Sequence, residues 1–234
     1  LNKNMKKLLL ITGPQGSGNH LWSKIAGHTP GVQGWEELTQ EYFVHHGREP
    51  FRELWRNPGL FSKINWTEQY YVTNTSCPMG GFKSSLNLTP AFLPQYDRFI
   101  SGARDAGFDV VVAVIGRDVN ILSHQQQRLR TEVTTPKFLE ALDNVLMKYD
   151  PVFISTEMLY LYRDRYISQV SKLLNFPLEV DPVVLDEILK EDSNKKYIHP
   201  VESHWLDEVH ITALKAPPNT AYPSYVERLF KSNN

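Results

Sequence analysis

The sequence predicts an α/β domain built as a three-layer, doubly wound, mainly parallel sheet. Three observations carry this. Short apolar runs alternate with helical patterns along most of the 234 residues. The run Asp109-Val110-Val111-Val112-Ala113-Val114-Ile115 is β-branched and apolar on both faces, as expected of a strand covered by helices on each side. The first apolar run ends in a glycine-rich loop, Gly13-Pro14-Gln15-Gly16-Ser17-Gly18, and a helical pattern follows at once.

The elements are expected as follows. Residues 7–12 form a buried strand, and 19–28 a helix with Leu21, Trp22, Ile25 and Ala26 on one face. Residues 31–35 suit a second strand. From 36 to 67 the pattern is weak, aromatic-rich and broken by Pro50 and Pro58, which suits short helices and loops. Residues 69–73 read as a strand and 90–106 as a helix stopped by Gly107; the strand 109–115 follows. Helices are expected over 119–130 and 136–148, a strand over 152–155, and helices over 163–174 and 182–191. No repeat, low-complexity tract or long linker divides the chain. One domain over 1–234 is expected, with its core in 5–180 and a helical and loop extension in 181–234.

Hydrophobic residues at 41 % and charged residues at 22 % suffice for a core. With 25 Lys+Arg against 26 Asp+Glu the net charge is -1, which argues against holding nucleic acid or an anionic membrane by bulk charge. Cys77 is the only cysteine, so an intrachain disulfide and a zinc–cysteine site are excluded and a reducing, cytoplasmic setting is expected. Ahead of Gly13, Met5-Lys6-Lys7 leads into an apolar run of about four residues, short of the ~7–15 of an export signal. No stretch approaches the ~20 apolar residues of a membrane span. The sequons at Asn65, Asn74 and Asn87 are therefore read as chance. The eight histidines show no metal-ligand spacing.

The loop Gly13-Pro14-Gln15-Gly16-Ser17-Gly18-Asn19-His20 is the most informative segment. Glycines between a strand and a helix let backbone N–H groups converge, and the positive end of the helix dipole adds to them, so an anion such as phosphate fits there. The pattern is P-loop-like, close to G-x-x-x-x-G-K-[ST], but Asn19 stands at the lysine and His20 at the Ser/Thr. Nucleoside triphosphate hydrolysis uses that lysine on the β/γ-phosphates and that hydroxyl on magnesium. Phosphate binding through main-chain amides needs neither.

Four segments, in order, resemble the sulfotransferase superfamily. The loop and helix 13–24 look like its 5′-phosphosulfate loop. The stretch His28-Thr29-Pro30-Gly31-Val32-Gln33-Gly34-Trp35-Glu36-Glu37 is similar to the one following that helix in tyrosylprotein sulfotransferases. Ile115-Gly116-Arg117-Asp118 and the helix carrying Ser123 resemble the strand, turn and helix that hold the donor's 3′-phosphate. Residues 152–159, then Leu173-Leu174-Asn175-Phe176-Pro177, look like the late strand, its turn and the next helix. The resemblance implies a P-loop-like fold, the donor 3′-phosphoadenosine 5′-phosphosulfate (PAPS), the product 3′-phosphoadenosine 5′-phosphate (PAP) and no metal. Gly13, Gly16, Ser17, Gly18, Asn19 and His20 would line the donor loop. Gly16 stands where the superfamily carries a basic residue. Arg117 would hold phosphate, joined by Ser123 or by Gln125, which occupies the usual serine position. Lys195, in Lys195-Lys196-Tyr197, lies where a late loop closes over the nucleotide in the superfamily.

Sulfuryl transfer to a hydroxyl needs a base, because a hydroxyl pKa lies far above neutrality, and a cation for the departing phosphate oxygen. Aligned from the loop without a gap, Glu37 falls on the catalytic glutamate. Lys83, in Gly80-Gly81-Phe82-Lys83-Ser84-Ser85, and His20 at the helix start are the candidates for the cation, Lys83 first. The acceptor is a hydroxyl on a glycan, a tyrosine or a small molecule. Two other readings stand beside this one: a catalytically silent nucleotide- or glycan-binding module, kept open by Gly16, and a degenerate P-loop phosphotransferase with Asp118 as a metal ligand.

Overall fold

The computed structural model describes residues 5–34, 51, 54–55, 57–79, 93–130 and 132–191, with 129 and 191 as backbone only. The chain divides into Leu1–Asp192 and Ser193–Asn234. Every described residue belongs to the first unit.

Strand β1 (Lys6–Pro14) leads through the glycine loop into helix α1 (Asn19–Gly27) and the two-residue strand β2 (Val32–Gln33). A 3-10 turn (Pro58–Lys63) precedes β3 (Tyr70–Cys77), α2 (Tyr96–Asp105) and β4 (Phe108–Gly116). Then come α3 (Val119–Arg130), α4 (Thr135–Asn144), a 3-10 turn (Leu146–Tyr149), β5 (Val152–Ser155), α5 (Thr156–Leu174) and α6 (Pro182–Glu191). The five strands are all parallel in the order β2-β3-β1-β4-β5. The predicted doubly wound α/β architecture is therefore the observed one. After β1 the chain moves to the β3 side of the sheet, and after β3 it crosses to the other side of β1. The carboxyl end of β1 lies at such a switch point, where open α/β sheets bind ligands.

Side chains alternate across β1, which explains its continuous apolar run. Leu9 and Ile11 pack with Leu21, Trp22 and Ile25 of α1 and with Leu159, Ile167 and Leu185 of α5 and α6. Leu8 and Leu10 pack with Tyr96, Phe99 and Ile100 of α2 and with Phe138 of α4. That second layer is strongly aromatic: Trp55 stacks on Phe99 with centroids 3.8 Å apart, and Trp66 stacks on Phe51 at 5.2 Å. Trp55, Trp66 and Tyr71 thus serve the core. Cys77 is buried at the end of β3, where loss of solvation pushes its thiol up to about 11. Asn74 is buried as well, so its sequon is closed to modification in the folded chain.

The structure revises several boundaries. β3 runs on through Asn74, Thr75 and Ser76 to Cys77, because Ile11 to Pro14 of β1 continue to pair with it. The helix expected over 90–106 begins at Tyr96, after Pro94, which disfavours helical geometry in the residue before it. The helix expected over 136–148 ends at Asn144 and tightens into the 3-10 turn. The helix expected over 163–174 starts seven residues earlier, at Thr156, with Ser155 Oγ accepting from Met158 N at 3.2 Å. Arg163 interrupts it with φ 49° and ψ -125°.

Candidate active site

The glycine loop is held by its carbonyls. Pro14 O accepts from Ser17 N at 3.0 Å and Gly18 O from Trp22 N at 3.0 Å. Gln15 O accepts from Gln126 Nε2 of α3 at 2.7 Å. Gly16 O accepts from Arg117 Nη1, and Ser17 O from Thr156 Oγ1 of α5 at 2.6 Å. Five successive carbonyls are thus engaged by groups from α1, α3, α5, the end of β4 and the loop itself. Within the loop the Ser17 N–H is itself taken up by Pro14 O. Gly16 at φ +89° and Gly18 at φ +107° adopt the left-handed geometry that makes successive amides converge on an anion. A side chain would be strained at either place: a Cβ on Gly16 would lie 2.6 Å from Gln125 Oε1, and one on Gly18 2.8 Å from Thr156 Oγ1.

Helix α1 starts at this loop with Gly18 as its N-cap, no side-chain cap and no acidic residue in its first turn. Its positive end is therefore open toward the loop. Among the described residues, the buried atoms Ser17 Oγ and Asn19 Oδ1 have no hydrogen-bond partner. Buried polar atoms are nearly always satisfied, so these two are exceptions. His20 is half-buried in the first turn of α1.

A polar network fixes the floor. Gln126 Oε1 accepts from Thr134 N at 2.7 Å and from Thr135 N and Oγ1 at 3.1 Å each. Thr134 Oγ1 donates to Gln15 Oε1 at 3.0 Å. Gln15, Gln126, Thr134 and Thr156 escaped the sequence reading. The one signal was Thr156 directly after a short strand, where helix starts cluster around a sheet's ligand end.

Arg117 follows the last residue of β4, as expected, and reaches the loop. Gln125 Oε1 lies 3.3 Å from Arg117 Nη1, and Gln125 is buried. The Ser123 hydroxyl instead donates to Val119 O of its own helix at 2.7 Å. Of the two alternatives, the structure brings Gln125 to Arg117. Two nearby carboxylates, Asp118 and Glu157, are engaged by backbone and hydroxyl donors. Asp118 Oδ1 caps α3, accepting from Asn120 N at 2.8 Å and Ile121 N at 3.0 Å. Glu157 accepts from Asp118 N at 2.9 Å and from Ser155 Oγ at 3.0 Å. Arg128 is exposed. Glu37, Lys83 and Lys195 lie outside the described residues.

Among the described residues no group of three His, Cys, Asp or Glu side chains could hold a metal ion, and no helix is long and apolar enough to cross a membrane. No protein-family model matches the chain, and no curated protein does. Among solved structures, the Deinococcus radiodurans tunicamycin resistance protein is similar over 75% of this chain and 99% of its own, at 16% identity and a TM-score of 0.43. The mouse sulfotransferase SULT7A1, complexed with PAP, is similar over 80% of this chain and 65% of its own, at 14% identity and a TM-score of 0.40. At those scores the fold assignment stands on the chain's own strand order and loop.

Proposed function

We propose that the chain is a sulfotransferase that moves a sulfuryl group from PAPS to a hydroxyl acceptor without a metal ion, acting as one domain over 1–234 in a reducing cytoplasm. The carrying observation is the loop 14–18, whose engaged carbonyls and left-handed glycines offer main-chain amides at an uncapped helix start. In support of a ligand at the loop, Ser17 Oγ and Asn19 Oδ1 lack partners among the described residues. Gly13, Gly16, Ser17, Gly18, Asn19 and His20 would hold its phosphosulfate, and Arg117 and Gln125 would add charge and hydrogen bonds. Ser123 and Lys195 keep their assignment from the sequence resemblance alone. PAPS, when bound, supplies the sulfuryl group and leaves as PAP.

The chain's own part is positioning and charge. Glu37 takes the proton of the acceptor hydroxyl. Lys83, or His20 from the start of α1, stabilises the negative charge of the leaving phosphate. The open N-terminus of α1 contributes in the same sense without a titratable group.

Thermal unfolding with EDTA present tests the binding half. PAP at a hundredfold excess over its Kd adds about 2.7 kcal/mol of stability through linkage, whereas ATP with magnesium shifts the transition much less. Transfer of labelled sulfate from PAPS to a panel of glycan, phenol and small-molecule hydroxyls tests the catalytic half, with Glu37→Gln abolishing transfer and leaving the PAP shift in place. PAP binding without transfer to any acceptor would favour the silent binding module. A shift with magnesium-ATP alone would favour the phosphotransferase.

A further inference from the structure

We infer that Thr156 and Glu157, the first two residues of α5, are positioning residues for the glycine loop: they close a ring of hydrogen bonds that sets the loop and the β4–α3 turn in one geometry. The inference deepens the sulfotransferase reading and rests on it for the identity of the ligand. The ring can be followed atom by atom. Arg117 Nη1 donates to Gly16 O. One peptide further on, Asp118 N donates to Glu157 Oε1 at 2.9 Å. Glu157 adjoins Thr156, whose Oγ1 donates to Ser17 O at 2.6 Å. Ser17 adjoins Gly16, and the circuit is complete. It ties together the carboxyl ends of β1, β4 and β5, the end at which open α/β sheets bind ligands. The corner at α5 is fixed on its own account. Ser155 N donates to Tyr166 Oη at 2.8 Å, and Ser155 Oγ to Glu157 Oε2 at 3.0 Å, so both carboxylate oxygens of Glu157 are engaged. Thr156 is buried, and a Cβ on Gly18 would come within 2.8 Å of its hydroxyl, so the loop packs directly on this side chain. Neither residue has to touch a ligand to set the shape of the loop. Because the bonds form a circuit, opening it at one point releases both turns, and opening it at a second point adds little.

The test measures PAP binding by calorimetry, at a temperature where every variant is folded. The chains compared are the wild type, Thr156→Val, Thr156→Ser, Glu157→Ala, Glu157→Gln and the double variant Thr156→Val/Glu157→Ala. Valine keeps the shape of threonine and removes the donor; serine keeps the donor, and glutamine keeps an acceptor for Asp118 N. Thr156→Val and Glu157→Ala should each weaken PAP about fivefold or more, and the double variant should match the weaker single within about twofold. Serine and glutamine should recover most of the loss. A merely structural role would lower the urea midpoint and leave PAP affinity unchanged, and that result overturns the inference. So does a double variant in which the two losses multiply. Amide exchange reads the ring without a ligand. Thr156→Val should speed exchange at Asp118, across the ring, relative to Val112 within β4, and Thr156→Ser should not. Unchanged exchange at Asp118, or equal acceleration at both amides, overturns the inference. A wild-type chain that binds no PAP removes the sulfotransferase reading, and the role of the two residues in setting the loop is then decided by the exchange result. If Thr156→Val does not fold, Glu157→Ala carries the test from the other side of the ring. Faster exchange is then expected at Ser17, whose N–H is held by Pro14 O, and unchanged exchange there overturns the inference.

Discussion

Gln126 lies fully buried beside the glycine loop, a place where an amide side chain is stable only if its hydrogen bonds are met. Its oxygen accepts from the backbone N–H groups of Thr134 and Thr135 and from the Thr135 hydroxyl, while its Nε2 donates to Gln15 O. The side chain thus ties the first half of the loop to the α3–α4 connection. Replacing it by alanine orphans the Thr134 and Thr135 N–H groups and the Gln15 carbonyl together. Each such buried group costs about 1–3 kcal/mol, so Gln126→Ala should lower stability by roughly 3 kcal/mol or more in urea unfolding. The neighbouring exposed Gln127→Ala should fall within about 0.5 kcal/mol of the parent. Equal effects at the two positions would show that the network does not hold the loop.

At the scale of elements, legibility followed local pattern. β1, α1, β4, α3, β5 and α6 fall within two residues of expectation because each announces itself by an unbroken apolar run or a helical face. β3 outruns its apolar pattern because Thr73, Asn74 and Thr75 are polar in sequence yet buried, held in place by pairing with β1. The start of α5 was missed for the opposite reason. Met158, Leu161 and Tyr162 are exposed, so its first turns lack an amphipathic face to read. The glycine loop was visible because its glycines are adjacent. Its grip by Arg117 and Thr156 was not, since those contacts join residues 101 and 139 positions apart. Arg163 marks where α5 breaks, with a positive φ that costs about 1–3 kcal/mol in a non-glycine residue. Its exposed ion pair with Asp186 returns only about 0.2–1 kcal/mol. Glycine adds about 0.5–1 kcal/mol of backbone entropy cost. Strain is the largest of the three, so Arg163→Gly should gain about 1 kcal/mol over Arg163→Ala, which loses the pair and keeps the strain. Urea midpoints measure this, and an alanine variant as stable as the glycine one would refute the strain.

Across the first unit, stability rests on a central strand that serves two separate cores. Leu9 is buried with α1, α5 and α6 on one face of the sheet, and Leu10 with α2 and α4 on the other. Truncating either leaves a cavity in a different layer, at about 2–5 kcal/mol each. The two side chains share no cluster, so their losses should add to within about 0.5 kcal/mol. Together they remove about 4–10 kcal/mol, which overlaps the ~5–15 kcal/mol that holds a natural domain folded. Leu9→Ala and Leu10→Ala should each retain cooperative unfolding with a lowered urea midpoint, while the double variant should lose most of its far-UV circular dichroism at room temperature. A single-layered protein would behave otherwise: one leucine would be costly and the other nearly neutral. The same architecture explains why the loop can afford orphaned polar atoms and left-handed glycines. β1 is clamped between β3 and β4 up to the point where the loop begins, so two cores stabilise the strand that leads into the glycine loop.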